Sequence, residues 1–283
     1  MKRNAYADGT IKETIKRMKT LQENCNFNEP EEVKLYIANK QCSNSYKNTL
    51  LGTYNHYMKS IGQEWNKPFY KRYHKLPKIP SEEKIDLLIA NGSPRMTLML
   101  SMSKDMGTRP IELTWLKLSD INLQNGTVNI TGAKHTMGRI GKLKPQTLDI
   151  LKQYVNNRNI GINDRILPTT STQISHNYRR MRNKLAQKLQ DPSIRTIRLY
   201  DFRHYFATML YHKTKDLLYV KAKLGHKNIE TTMLYTQLIE SLANDDYHCK
   251  TATNVKEATN LTENGFEYTA TTPDGYMLFR KRK

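Results

Sequence analysis

The sequence predicts a mainly helical, α+β chain of two domains, the second carrying one small three-stranded sheet. Three observations lead there. Apolar residues recur at helical spacing through most of the 283 residues. An Asn-Gly pair between alternating residues, Asn125-Gly126, marks a hairpin. Residues 67–80 hold three prolines, several basic side chains and no helical period, which reads as a linker.

The first domain, residues 1–76, is expected to be all helical. A helix over residues 10–22 would place Ile11, Ile15, Met18 and Leu21 on one face. A second starts at Pro30, whose fixed φ suits the first helical position, and runs to residue 39. A third follows Ser43 and carries Tyr46, Leu50, Leu51, Tyr54, Tyr57, Met58 and Ile61. Residues 77–80 close the linker, where Lys71 and Arg72 are candidates to lie against a phosphate backbone.

The second domain, residues 79–245, opens with Ser81 as an N-cap and with Glu82 and Glu83, acids that suit the positive end of a helix. That helix runs through Ala90, and another covers residues 94–106. Gly107-Thr108-Arg109-Pro110-Ile111-Glu112-Leu113 breaks and restarts it, with Pro110 first and Glu112 placed to reach back to the cap. Residues 121–123, 127–131 and 139–144 are expected to form the sheet, and helix resumes from Pro145 to about residue 245. A C-terminal extension, residues 246–283, reads as one helix over 255–261 and a hairpin at Pro273-Asp274-Gly275.

Charge narrows the partners. Lys and Arg number 46 against 26 for Asp and Glu, a net +20 with a pI near 9.7, so the chain attracts polyanions, and nucleic acid first among them. The excess belongs to residues 1–245, while the extension is nearly balanced. An anionic membrane surface or an RNA would suit charge alone, but no apolar run approaches the roughly 18 residues of a membrane span. No apolar segment follows Met1-Lys2-Arg3-Asn4, so no secretory signal is expected. Cys25, Cys42 and Cys249 lie far apart, against a zinc site or a disulfide framework and in keeping with a reducing cytoplasm.

Four motifs carry chemistry: Gly107-Thr108-Arg109-Pro110, Lys134 in the hairpin, Tyr200-Asp201-Phe202-Arg203-His204, and Leu224-Gly225-His226 followed by Tyr235-Thr236. In this order and at these separations, over residues 80–245, they resemble the tyrosine recombinase (phage integrase) family. The resemblance implies a metal-free and cofactor-free enzyme that breaks and rejoins DNA through a 3′-phosphotyrosine and a Holliday junction. It makes Tyr235 the nucleophile, and Arg109 and Arg203 the forked donors to the phosphate. Lys134 becomes the proton donor to the leaving 5′ oxygen, with Arg139 and Lys142 in the same hairpin as DNA contacts, and His226 a hydrogen-bonding partner of the phosphate.

One position departs from the pattern. The family's His-x-x-Arg reads Tyr200-Asp201-Phe202-Arg203 here, as in some archaeal integrases. Either Tyr200 only positions the phosphate, or the base work falls elsewhere or to water. His204 is expected to pack or cap. Residues 175–189 have an apolar stripe of Tyr178, Met181, Leu185 and Leu189, with Arg179, Arg180, Arg182, Lys184 and Lys188 around the rest. That pattern suits a helix with one face on the core and the other at DNA.

The resemblance further implies a helical core-binding domain and a mixed catalytic domain closing as a clamp on double-stranded DNA. The chain would be a monomer in solution, a homotetramer on paired sites, and nucleoid-associated in the cytoplasm. The basic end of the extension, Leu278 to Lys283, is a candidate contact to DNA or a neighbouring subunit. Two rivals share the motifs: a type IB topoisomerase, and a non-catalytic DNA-binding regulator. An RNA-binding structural protein would explain the charge but not the order of the motifs.

Overall fold

A computed structural model describes residues 5–73, 75–133, 136–238 and 247–282. The chain divides into two compact units, Met1–Lys75 and Leu76–Lys283.

In the first unit α1 (Asp8–Gln22) and α2 (Pro30–Asn39) both pack on α3 (Asn44–Ser60). Ser43 caps α3 by accepting from Tyr46 N. Leu21, Val33, Ile37, Leu50, Leu51, Tyr54 and Met58 form the core, with Phe27, Tyr57, Trp65 and Tyr70 around it. The expected face of α1 is rotated: Thr14 is buried and Ile15 is exposed. Tyr46 of α3 and Ile61, which follows its last residue, are also exposed. The N-terminal part of the expected linker belongs to this unit. Asn48 Nδ2 donates to Tyr70 O at 2.6 Å and Asn48 Oδ1 accepts from Tyr70 N at 3.0 Å, so one amide pins the extended strand to α3.

The second unit is built around α5 (Pro94–Met106). It is buried on most of its sides, with Met96, Leu98, Met99, Leu100, Met102 and Met106 in the core, and packs against α4 (Glu82–Ala90), α7 (Pro145–Arg158) and α9 (Leu199–Thr214). α6 (Pro110–Trp115) packs on α8 (Ser171–Lys188), whose buried side chains are Ile174, Tyr178, Leu185 and Ala186. Leu189, expected on that stripe, is instead exposed. The sheet runs β1 (Ile121–Asn122), β2 (Thr127–Ile130), β3 (Arg139–Lys142), all antiparallel, with Val128 opposite Gly141 and Ile130 opposite Arg139. A smaller core of Ala207, Val220, Leu224, Tyr235 and Leu238 joins α9 to α10 (Leu217–Leu224) and α11 (Glu230–Leu238).

The extension holds more strand than expected. β4 (Tyr247–Ala252), α12 (Val255–Glu263), β5 (Glu267–Thr271) and β6 (Met277–Arg282) give a second antiparallel sheet in the order β4-β6-β5. The expected hairpin is β5-β6. Its partner β4 is not foreseen because no local turn links it to β6. No described helix is long and apolar enough to cross a membrane.

Candidate active site

The site starts from the broken helix at Gly107. Gly107 ends α5 with a φ of 59°, and a Cβ there would collide with the Phe206 ring. Pro110 then restarts helix in α6, which leaves Arg109 at the N-cap. Arg109 N donates to Glu112 Oε2 at 2.9 Å, and its Nη1 reaches Glu112 Oε1 at 2.9 Å and Thr136 Oγ1 at 3.3 Å. The Glu112 side chain has no exposed surface. It also accepts from Arg139 Nη1 and Nη2 at 3.2 and 2.7 Å, and from Ala133 N at 3.4 Å. One carboxylate thus ties the first arginine motif to the β2–β3 connection. Burial alone would raise its pKa, but the bonds and charge of Arg139 outweigh that and hold it at about 2.

Arg139 therefore corrects its sequence assignment. Its side chain is 3% exposed, and both terminal nitrogens donate to Glu112, so it braces the hairpin instead of lying on the surface as a DNA contact would. Lys134, the expected proton donor, lies outside the described residues.

Arg203 sits on the inward face of α9 and is 1% exposed. Its Nη1 donates to Gly107 O at 2.6 Å, and its Nη2 to Leu224 O at 2.7 Å, with His226 Nε2 3.0 Å away. Burial, then the charges of Arg109 and Arg139, lower its pKa to about 10, which leaves it cationic at neutral pH. An arginine can only donate, so His226 accepts at Nε2 and carries its proton on Nδ1, 2.9 Å from Thr232 Oγ1. Burial, Arg203, Arg109 and Arg139 push the His226 pKa down to about 4, so the ring is neutral. Both ring nitrogens are engaged. In this arrangement His226 steadies Arg203 and keeps no N–H free for a phosphate.

Gly225 makes that corner possible. It ends α10 with a φ of 66°, and a Cβ there would lie 2.6 Å from Met137 O. Its own carbonyl accepts from Met137 N at 3.2 Å, which holds the β2–β3 connection against the His226 turn.

Tyr235 on α11 is 2% exposed. Burial pushes its phenol well above the ordinary tyrosine range, and the Arg203 and Arg109 charges pull part of that back. Its Oη lies 3.3 Å from His204 Nδ1. The His204 ring in turn meets Tyr200 edge-on, centroids 5.1 Å apart. Burial lowers the His204 pKa, with Asp201 opposing and Arg198 and Arg203 assisting. Tyr200 is exposed beside this pair. His204 is the residue that sequence reasoning passed over. Its spacing of four from Tyr200, one helical turn along the same face, was the available signal.

The expected DNA-facing residues divide. Arg179, Arg180 and Lys184 are exposed on α8, Lys142 is exposed on β3, and Lys71 and Arg72 are exposed in the first unit. Arg182 is not: its Nη1 donates to Ile197 O at 2.6 Å, where it ties α8 to the segment before α9. Among the described residues no group of three or more His, Cys, Asp or Glu comes together as a metal site would.

Known proteins resemble this chain in sequence and in fold. The chain is 29% identical over 188 residues to the tyrosine recombinase XerD of Oceanobacillus iheyensis, covering 62% of this chain and 63% of that protein. It is 35% identical over 149 residues to a tyrosine recombinase of Agathobacter rectalis, covering 49% and 46%. The chain thus spans about half to just under two thirds of the length of these relatives. The fold matches the Tn1549 transposon integrase, solved in complex with transposon right end DNA, with a TM-score of 0.63 at 14% identity over 85% of this chain and 96% of that one. A sequence model of the phage integrase family matches residues 81–241, the segment that holds Arg109, Arg203, His226 and Tyr235, and the chain belongs to that family.

Proposed function

We propose that this chain is a site-specific DNA recombinase that breaks and rejoins DNA through a 3′-phosphotyrosine on Tyr235 and a Holliday junction. The observation that carries the reading is a buried phenol set beside two arginine charges, Arg203 and Arg109, with a ring nitrogen at its hydroxyl. A phosphodiester under attack gains negative charge on its non-bridging oxygens, and fixed cations that need no reorganisation stabilise that change. Arg203 is held in place by two carbonyls and an imidazole, and Arg109 by Glu112, so both are set before substrate arrives. Tyr235 attacks phosphorus, the 5′ oxygen leaves, and Lys134 is our candidate to protonate it. Tyr200 is proposed to donate to the phosphate.

Arg179, Arg180, Lys184 and Lys142 are proposed to contact the DNA backbone, as are Lys71 and Arg72 from the first unit, where residues 1–76 would act as the core-binding domain. Residues 79–245 would be the catalytic domain. Four copies would assemble on two sites, in the compartment that holds the chromosome. A type IB topoisomerase would use the same attack but relax supercoils without a paired site.

The test is covalent trapping. Wild type and Tyr235→Phe are incubated, without divalent metal, with nicked suicide duplexes drawn from DNA flanking the gene, then run under denaturing conditions. A shifted band for wild type alone is expected. Shifts for both would move the nucleophile elsewhere, and binding without any shift on a second duplex would favour a non-catalytic regulator.

A further inference from the structure

We propose that His204 takes the phenolic proton of Tyr235 during attack, and so fills the proton-acceptor role that Tyr200 cannot. This rests on the phosphotyrosine reading above. Geometry and elimination both lead to it. As Tyr235 Oη bonds to phosphorus it must lose its proton, while the 5′ oxygen departs with the electron pair and is protonated by a separate acid. The acceptor must stand within hydrogen-bond reach of Oη. His204 Nδ1 does, at 3.3 Å, with the two rings tilted and their centroids 5.9 Å apart.

The neighbouring bases are engaged or unsuited. Asp201 accepts from Arg198 N at 2.7 Å and from Arg198 Nη2 at 3.2 Å. Both His226 nitrogens are engaged by Arg203 and Thr232. Glu112 is saturated by Arg109, Arg139 and Ala133. Tyr200 is itself a phenol and a poor base near neutrality. His204 stands four residues beyond Tyr200, so an imidazole there lies on the same face of α9, one turn along.

The charged and titratable groups around His204 agree with the role. Tyr200, Asp201 and Arg203 share its helix, Arg198 stands at that helix's N-cap, Tyr235 faces it from α11, and His226 approaches from the turn after α10. Burial keeps the ring neutral at pH 7, which is the form able to accept a proton. The rate should therefore level off above the lowered His204 pKa.

The experiment measures adduct formation against pH, from pH 6 to 9, on a suicide duplex that traps wild type. The proteins are wild type, His204→Gln and His204→Ala. Gln can accept the phenol hydrogen bond but cannot take the proton. The expected result is a loss of roughly 100- to 10,000-fold at pH 7 in both variants with duplex binding retained. The loss should shrink as pH rises and phenolate forms unaided, and added imidazole should partly rescue His204→Ala. Near-wild-type rates in His204→Gln would overturn the proposal. So would a loss that is equal at every pH and indifferent to imidazole, since that describes a ring that only packs. If His204→Ala does not fold, His204→Gln decides alone. A wild type that binds but never forms an adduct would instead sink the recombinase reading.

Discussion

Arg139 places Nη1 and Nη2 on the two carboxylate oxygens of Glu112 at 3.2 and 2.7 Å, in a pocket where neither side chain meets solvent to any useful extent. The pair joins the start of α6 to β3. Glu112 also holds Arg109 and accepts from Ala133 N, so a single buried acid sets the first arginine of the site and the residue three places beyond β2.

Glu112→Gln should therefore be costly. It leaves a buried guanidinium without its counter-charge, a change worth about 3–5 kcal/mol. Urea unfolding should show that loss, and adduct formation should fall further than folding explains because Arg109 loses its hold. A shift under about 1 kcal/mol would mean the pair relaxes toward water, against the burial of both side chains.

Stability should fall with acid in two stages. In the unfolded chain His226 titrates near 6.5 and in the folded one near 4. Between those values the unfolded state binds a proton that the native state refuses. Stability is then complete above pH 6.5 and drops by about 3 kcal/mol as pH falls toward 4. Glu112, with a native pKa of about 2 against 4.5, adds a second loss below pH 4.5. Urea midpoints for wild type and His226→Gln between pH 7.5 and 4.5 should diverge at high pH and converge in acid. Parallel curves would contradict the assignment.

Much of this was legible in the sequence, for reasons that are local. The hairpin turn at Asn125-Gly126, the proline starts at Pro30, Pro94, Pro110 and Pro145, and the reach of Glu112 to its cap depend on neighbours within a few residues. What escaped depends on long-range packing. Arg139 looks like a basic hairpin residue until folding brings it to a carboxylate 27 positions away. Likewise, His204 meets Tyr235 across 31 positions, and β4 finds β6 only after α12 and β5 intervene.

Gly225→Ala tests the corner between α10 and His226. The backbone there has a φ of 66°, and the added methyl would press on Met137 O. A loss of about 1–3 kcal/mol is expected from the strained dihedral and the displaced carbonyl. Thermal unfolding reads it directly. An unchanged midpoint would show that the connection shifts without cost.

Arg203→Lys separates charge from geometry. An ammonium keeps the positive charge but has no planar fork to serve Gly107 O and Leu224 O together while facing His226. Adduct formation should fall by about 100- to 1000-fold, the usual cost of removing one charge-stabilising donor, with duplex affinity changed far less. Equal losses in binding and in rate would assign Arg203 to ground-state affinity.

The basic face of α8 gives the clearest contrast, because adjacent arginines are set to different work. Arg179 and Arg180 are exposed, while Arg182 donates to Ile197 O at 2.6 Å. Removing one cation that neutralises a phosphate should lower the slope of log affinity against log salt by about one. Arg179→Ala and Arg180→Ala are thus expected to flatten that slope and leave the unfolding midpoint in place. Arg182→Ala should do the reverse, keeping the slope and losing about 1 kcal/mol of stability, since Ile197 O loses the charged one of its two donors and keeps only Tyr178 Oη. Salt titrations of duplex binding beside urea melts distinguish the two. If all three variants flatten the slope equally, the helix faces DNA along its whole basic surface, and the structural role given to Arg182 falls.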